Sequence, residues 1–149
     1  MRILIVDNDD LPRTLRQIVL SHAGYGMDCA ADGEEALALL ADEEFDLVLT
    51  DRNLPRLDGC DLVRAMRAYG FRTPVMMVSG SLADGGDLPA DIRCEIAVAL
   101  PKPATTRGLL TGIARALHSA SAAAPVMMNT WTPPTQGPQI FEARQILNR

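Results

Sequence analysis

Short, unbroken apolar runs alternate with helical patterns along the first 118 residues, and that alternation leaves few architectures open. Ile3 to Val6 reads as a buried strand. Leu11, Leu15, Ile18, Val19 and His22 recur at helical spacing, and Gly24 stops that helix. A weaker strand covers Met27 to Ala30, and Asp32-Gly33 turns into a helix over Glu35 to Leu40. Phe45 to Thr50 is the next strand, and Leu57, Leu62, Val63 and Met66 mark a third helix. Pro74 to Val78 and Ile96 to Leu100 are the last two strands, with a final helix over Thr105 to His118.

Such an order predicts an α/β fold: a doubly wound, five-stranded parallel sheet with helices on both faces, joined by right-handed crossovers. Strands apolar at every position suit a sheet covered on both sides. The link from Ser81 to Glu95 is irregular, because Gly85, Gly86 and Pro89 oppose a long helix, so the fourth helix is expected to be short or broken. Ala, Ser, Thr and Pro dominate 119–138, which is linker chemistry. Residues 1–118 therefore read as one domain and 119–149 as a tail. Residues 140–147 form a candidate amphipathic helix, with Phe141, Ile146 and Leu147 as apolar contacts and Trp131 as an anchor before it. A disordered tail is the alternative.

The formal net charge of -5 argues against a nucleic-acid surface, which needs clustered positive charge. No apolar run approaches the roughly 20 residues of a membrane span, and the apolar run after Met1 is too short for a signal peptide. Cys29, Cys60 and Cys94 are odd in number and widely spaced, as expected of reduced thiols in a cytoplasmic protein. His22 and His118 stand alone and read as surface residues.

In open parallel sheets, ligands bind at the carboxyl ends of strands near a topological switch point. Asp7-Asn8-Asp9-Asp10 follow the first strand, Asp51 the third, Ser79 the fourth and Lys102 the fifth. Lys102 is the only lysine beside thirteen arginines, which suits a place that needs a compact point charge rather than a planar fork. Each residue has a plainer role open to it. Asp9 or Asp10 could cap the first helix, with Pro12 in its first turn, and Asp51 and Ser79 could be turn residues. Taken together they assemble carboxylates, an amide, a hydroxyl and one ammonium at one end of the sheet. That inventory fits metal-assisted phosphoryl transfer: hard oxygen ligands favour Mg2+, a carboxylate is the nucleophile, and fixed charge neutralises the phosphoryl oxygens.

At these residues the chain resembles the receiver domain of two-component response regulators, the CheY-like type with its flavodoxin-like sheet. The resemblance runs over residues 1 to about 118. It is carried by Ile3-Leu4-Ile5-Val6-Asp7-Asn8-Asp9, by Phe45 to Asp51 with Pro55 and Asp58-Gly59, by Pro74 to Gly80, and by Pro101-Lys102-Pro103. It implies that Asp51 accepts a phosphoryl group from a sensor histidine kinase or phosphotransfer protein. It also implies that Asp7, Asn8, Asp51 and the Asn53 backbone carbonyl hold Mg2+, that Ser79 and Lys102 contact the phosphoryl group, and that the Lys102-Pro103 bond is cis. Asn53 and Ser81 are the candidates for tuning hydrolysis. The chain would catalyse its own phosphorylation and dephosphorylation and would not turn over a metabolite.

Two positions depart from the pattern. Asn8 stands where the family most often has a second carboxylate, which predicts weaker Mg2+ binding. Ala99 stands where the family usually has a Tyr or Phe that reports the switch, which makes the output atypical. With no DNA-binding module expected in the tail, signalling falls to contact with a downstream protein target, and a homodimer is an open alternative. The runner-up reading is a phosphorylation-independent pseudo-receiver that keeps the fold as a binding module. A metal-dependent phosphohydrolase is a third, opposed by Asn53 where such enzymes usually carry an acid/base carboxylate.

Overall fold

A computed structural model describes residues 1–80 and 88–127, with side chains described to Ser119. The chain order is β1 (Arg2–Val6), α1 (Asp10–His22), β2 (Gly26–Ala30), α2 (Gly33–Asp42), β3 (Leu47–Asp51), α3 (Gly59–Ala68), β4 (Val75–Ser79), α4 (Ala90–Arg93), β5 (Val98–Pro101) and α5 (Thr106–Met127). All five strands are parallel, in the order β2-β1-β3-β4-β5. The chain leaves β1 for one edge and returns beside it at β3, so the switch point lies between these two strands.

Strand alternation sorts the core into two halves. Leu4, Val6, Val48, Val75 and Met77 pack with Leu37, Leu40, Leu62 and Met66 of α2 and α3. Ile3, Ile5, Leu47, Leu49, Met76 and Val78 pack with Leu20 of α1 and Leu109, Ile113 and Ala116 of α5. Both faces are covered, which is why the strand residues are apolar at nearly every position. Helices α2 and α3 are capped as their sequences suggest: Asp32 accepts from the Glu35 N–H and Asp58 from the Asp61 N–H, both at 2.8 Å.

Several expectations are refined. Strands β3, β4 and β5 lie one or two residues nearer their carboxyl ends than the apolar runs indicated, so Asp51 and Ser79 are the last residues of strands. In α1 most of the repeating set faces away from the core: Leu11, Leu15, Ile18 and His22 are exposed, Val19 alone of that set packs on the core, and the buried residues are Arg16 and Leu20. Asp9 is the α1 N-cap by position but makes no side-chain cap bond, and Asp10 pairs with Arg13, so capping does not account for the acidic run. Helix α5 continues past His118 to Met127; the alanines at 120 and 122–124 favour helix, whereas Pro125 near its end does not.

The fourth helix appears among the described residues as the single turn α4, and residues 81–87 lie outside them. Ile92 buries this turn, and Arg64 and Arg67 of α3 hold it through Asp91 at 2.8 Å and Glu95 at 2.9 Å. The Arg64 guanidinium keeps the Asp91 carboxyl below the usual carboxylate range. Ser81, Trp131 and the 140–147 segment also lie outside the described residues.

Candidate functional site

The site forms where β1 and β3 end side by side. Asp7 extends the face of Ile3 and Ile5, and Asp51 that of Leu47 and Leu49, so alternation turns both carboxylates toward the α1 side of the sheet. Asp7 is fully buried and Asp51 is 4% exposed, which makes them costly charges unless they are paired.

Both are paired. Lys102 Nζ lies 2.5 Å from Asp51 Oδ2, joining residues 51 apart in sequence. The other Asp51 oxygen accepts the Asn53 backbone N–H at 3.3 Å. Asp7 Oδ2 accepts from Arg16 Nη1 at 2.7 Å, and Asp7 Oδ1 accepts from the Asp9 backbone N–H at 3.0 Å. Arg13 Nη1 donates to the Asp7 backbone carbonyl at 2.8 Å. The sequence reading missed Arg16. The one available signal was a charge at 16, nine residues after Asp7, on the same helix face as the core residue Leu20.

Ser79 ends β4 fully buried, and the Lys102 backbone N–H donates to its carbonyl at 3.0 Å. That bond seats the fifth-strand loop against the fourth strand, next to Asp51. The Lys102-Pro103 bond is cis, as the resemblance implied. Asn8 and Asn53 are exposed at the rim. Ala99 is exposed on β5, in register with Met77.

The donor set suits a hard cation: two carboxylates, the Asn8 amide and a backbone carbonyl are all oxygen ligands. Only two of them carry charge, and among the described residues no group of three or more His, Cys, Asp or Glu is placed to hold a metal ion. The chemistry of these donors is that of a hard-cation ligand set such as Mg2+ takes, with less negative charge than three carboxylates would offer.

The loop after Asp51 is held by close backbone packing. The Gly59 N–H donates to the Arg52 carbonyl at 2.7 Å, and the Thr50 hydroxyl donates to the Asp51 carbonyl at 2.9 Å. A Cβ on Gly59 would sit 2.4 Å from that same Asp51 carbonyl oxygen and 2.9 Å from Arg52 Cα, both backbone atoms. Gly59→Ala is therefore expected to cost roughly 1–3 kcal/mol and, with Asp51 as the phosphoacceptor that the resemblance implies, to slow phosphoryl uptake by displacing it. Chemical denaturation together with a phosphorylation time course checks both effects. A variant with unchanged stability and rate would show that the loop yields without cost.

Comparison with known proteins bears on the same residues. A family model described as response regulator receiver domain matches residues 3–114. The chain is 31% identical over 125 residues to Sensor protein EvgS of Escherichia coli K12, covering 84% of this chain and 10% of that protein. It is 39% identical over 79 residues to Response regulator MprA of Mycolicibacterium vanbaalenii, covering 53% of this chain and 34% of that protein. It thus spans about a third or less of the length of these two relatives. Among solved structures, a CheY-like receiver domain protein of Methanospirillum hungatei superposes with a TM-score of 0.71 at 27% identity, covering 82% of this chain and 97% of the other. Chemotaxis protein CheY4 of Vibrio cholerae gives 0.67 at 29% identity, covering 77% and 97%.

Proposed function

The chain belongs to the response regulator receiver domain family, and on that premise we propose that it is a phosphorylation switch whose acceptor is Asp51. The observation that carries this reading is the Lys102–Asp51 contact at the switch point, with buried Asp7 and Ser79 ending the neighbouring strands. An Asp51 carboxylate oxygen forms the new P–O bond as the P–N bond of the donor phosphohistidine breaks, and the electron pair stays on the departing imidazole. Lys102 moves its charge from the carboxylate to the phosphoryl oxygens, and the Ser79 hydroxyl donates to one of them. Mg2+, held by Asp7, Asp51, Asn8 and the Asn53 carbonyl, supplies the remaining positive charge when bound. No side chain has to move a proton, so position and charge suffice.

Phosphorylation adds about two negative charges to the pocket. With Ala99 on β5 there is no ring in that position to report the change, so the output runs through another surface to a downstream protein target. Among the described residues no helix is long and apolar enough to cross a membrane, which is compatible with action in the cytoplasm.

The test is intact-mass measurement after incubation with Mg2+ and a small phosphodonor. One added phosphoryl group, removed by hydroxylamine as an acyl phosphate, is expected. No gain from any donor or kinase would favour the second reading, a phosphorylation-independent binding module. The Arg16 pairing of Asp7 and the alanine at position 99 are the observations on that side.

The donor has to approach past the start of α1, where Leu11, Leu15 and Ile18 expose 68%, 54% and 50% of their surface in one stripe. This stripe fits an apolar helix of the histidine-bearing partner. Leu15→Glu combined with Ile18→Glu is expected to lower transfer from the kinase at least about tenfold while leaving uptake from a small phosphodonor unchanged. An equal loss with both donors would place the effect in the pocket instead.

A further inference from the structure

Arg16 has no part in the phosphoryl transfer just described, yet it sits in the pocket with its side chain 10% exposed and a 2.7 Å bond to a carboxylate that is 0% exposed. The cation that phosphoryl transfer needs and the guanidinium that the fold supplies therefore meet at the same carboxylate, where Arg16 holds Oδ2. We propose that Arg16 is a resident counter-cation that competes with the divalent metal for Asp7 and sets the pocket's metal affinity. This rests on the reading of Asp7 as a metal-side carboxylate.

Charge supports it. Asp7 with Arg16 and Asp51 with Lys102 are each a one-to-one pair of opposite formal charges, so each carboxylate has its own counter-charge before any metal arrives. Geometry supports it as well. A carboxylate has about four lone-pair sites, and Arg16 and the Asp9 N–H take one each, so Asp7 is neutralised without being sealed off. A metal ion approaching Asp7 has to share it with a fixed like charge or turn the guanidinium aside. Asn8 lowers affinity by withholding a charge, whereas Arg16 lowers it by adding the opposite one. The two effects belong to different residues and separate on substitution.

Competition of two cations for one carboxylate is a coupling between sites, and such couplings are typically about 5- to 150-fold. Arg16→Met keeps the length and the apolar stem and removes the charge. By counting free Mn2+ with electron paramagnetic resonance, Arg16→Met is expected to bind the ion about tenfold more tightly than the wild-type chain, and Arg16→Lys within a few-fold of wild type. A folded Arg16→Met chain that binds Mn2+ no more tightly than wild type overturns the inference while leaving Asp7 as a ligand. Absence of binding by both proteins overturns it together with the metal reading. A second measurement needs no substitution: in the 15N-labelled wild-type chain, saturation with Mg2+ is expected to move the Arg16 Nε–H signal and leave that of Arg64 in place. An unmoved Arg16 signal likewise overturns the competition.

Discussion

Asp51→Ala is expected to take up no phosphoryl group from any donor, and Lys102→Ala to take it up about a hundredfold more slowly than wild type. The first loss is absolute because the nucleophile is gone. Asp7 is no substitute: it is fully buried and bonded to Arg16 and the Asp9 N–H. The second loss is one of rate. Lys102 is partly buried and lies 2.5 Å from the Asp51 carboxylate, so on the proposed function it pre-positions a positive charge where phosphoryl oxygens would arrive. Removing one such preorganised donor typically costs about 10² to 10³ in rate. Lys102→Arg is not expected to restore it, because a planar fork does not occupy the place of a point charge. Time-resolved intact-mass measurement with a small phosphodonor and Mg2+ reads all three variants. A phosphoryl gain in Asp51→Ala would move the acceptor elsewhere, and a wild-type rate in Lys102→Ala would reduce the contact to a structural ion pair.

That contact was legible in the sequence because strand ends are. Each apolar run locates a strand, the parallel topology sends every carboxyl end to one side, and the residues that follow meet there. Asp7, Asp51, Ser79 and Lys102 came together on that logic, and the strand boundaries erred by too little to scatter them. The face of α1 was not legible. Periodicity gives the repeat of a helix but not which repeating set turns inward when a second set is available. Here Leu11, Leu15 and Ile18 form the more apolar stripe, yet the sheet buries Arg16 and Leu20. A buried arginine has no signature in a pattern of apolar residues. Its partner is a residue at the end of another element, and only the docking of α1 on β1 brings the two together. Helix α5 was cut short for a different reason. Ala and Ser before a proline-rich stretch have the composition of a linker, yet alanine is also the best helix former, and composition alone does not separate the two.

The Asp7–Arg16 pair should also show in stability, and with a sign that separates it from an ordinary surface ion pair. Exposed pairs such as Arg64–Asp61 contribute about 0–1 kcal/mol, because water already solvates both groups. A buried pair behaves differently: removing one partner strands the other charge, at a cost of roughly 3–5 kcal/mol. Asp7→Ala is expected toward the lower end of that range, because the Arg16 head can snorkel along its stem to reach water. Arg16→Leu strands the carboxylate instead, and Asp7 has no such stem, so its loss is expected to be the larger in metal-free buffer. Saturating Mg2+ should then recover part of the loss in Arg16→Leu, by binding the folded state at the freed carboxylate, and none of it in Asp7→Ala. The double variant Asp7→Ala with Arg16→Leu leaves no buried charge at this position and is expected close to wild type or above it, since apolar replacement of a buried pair is often neutral or stabilising. Urea midpoints for the four proteins, with and without Mg2+, complete the cycle. If the single losses simply add in the double variant, the two residues do not act as a pair, and the counter-charge drawn from their contact has to be abandoned.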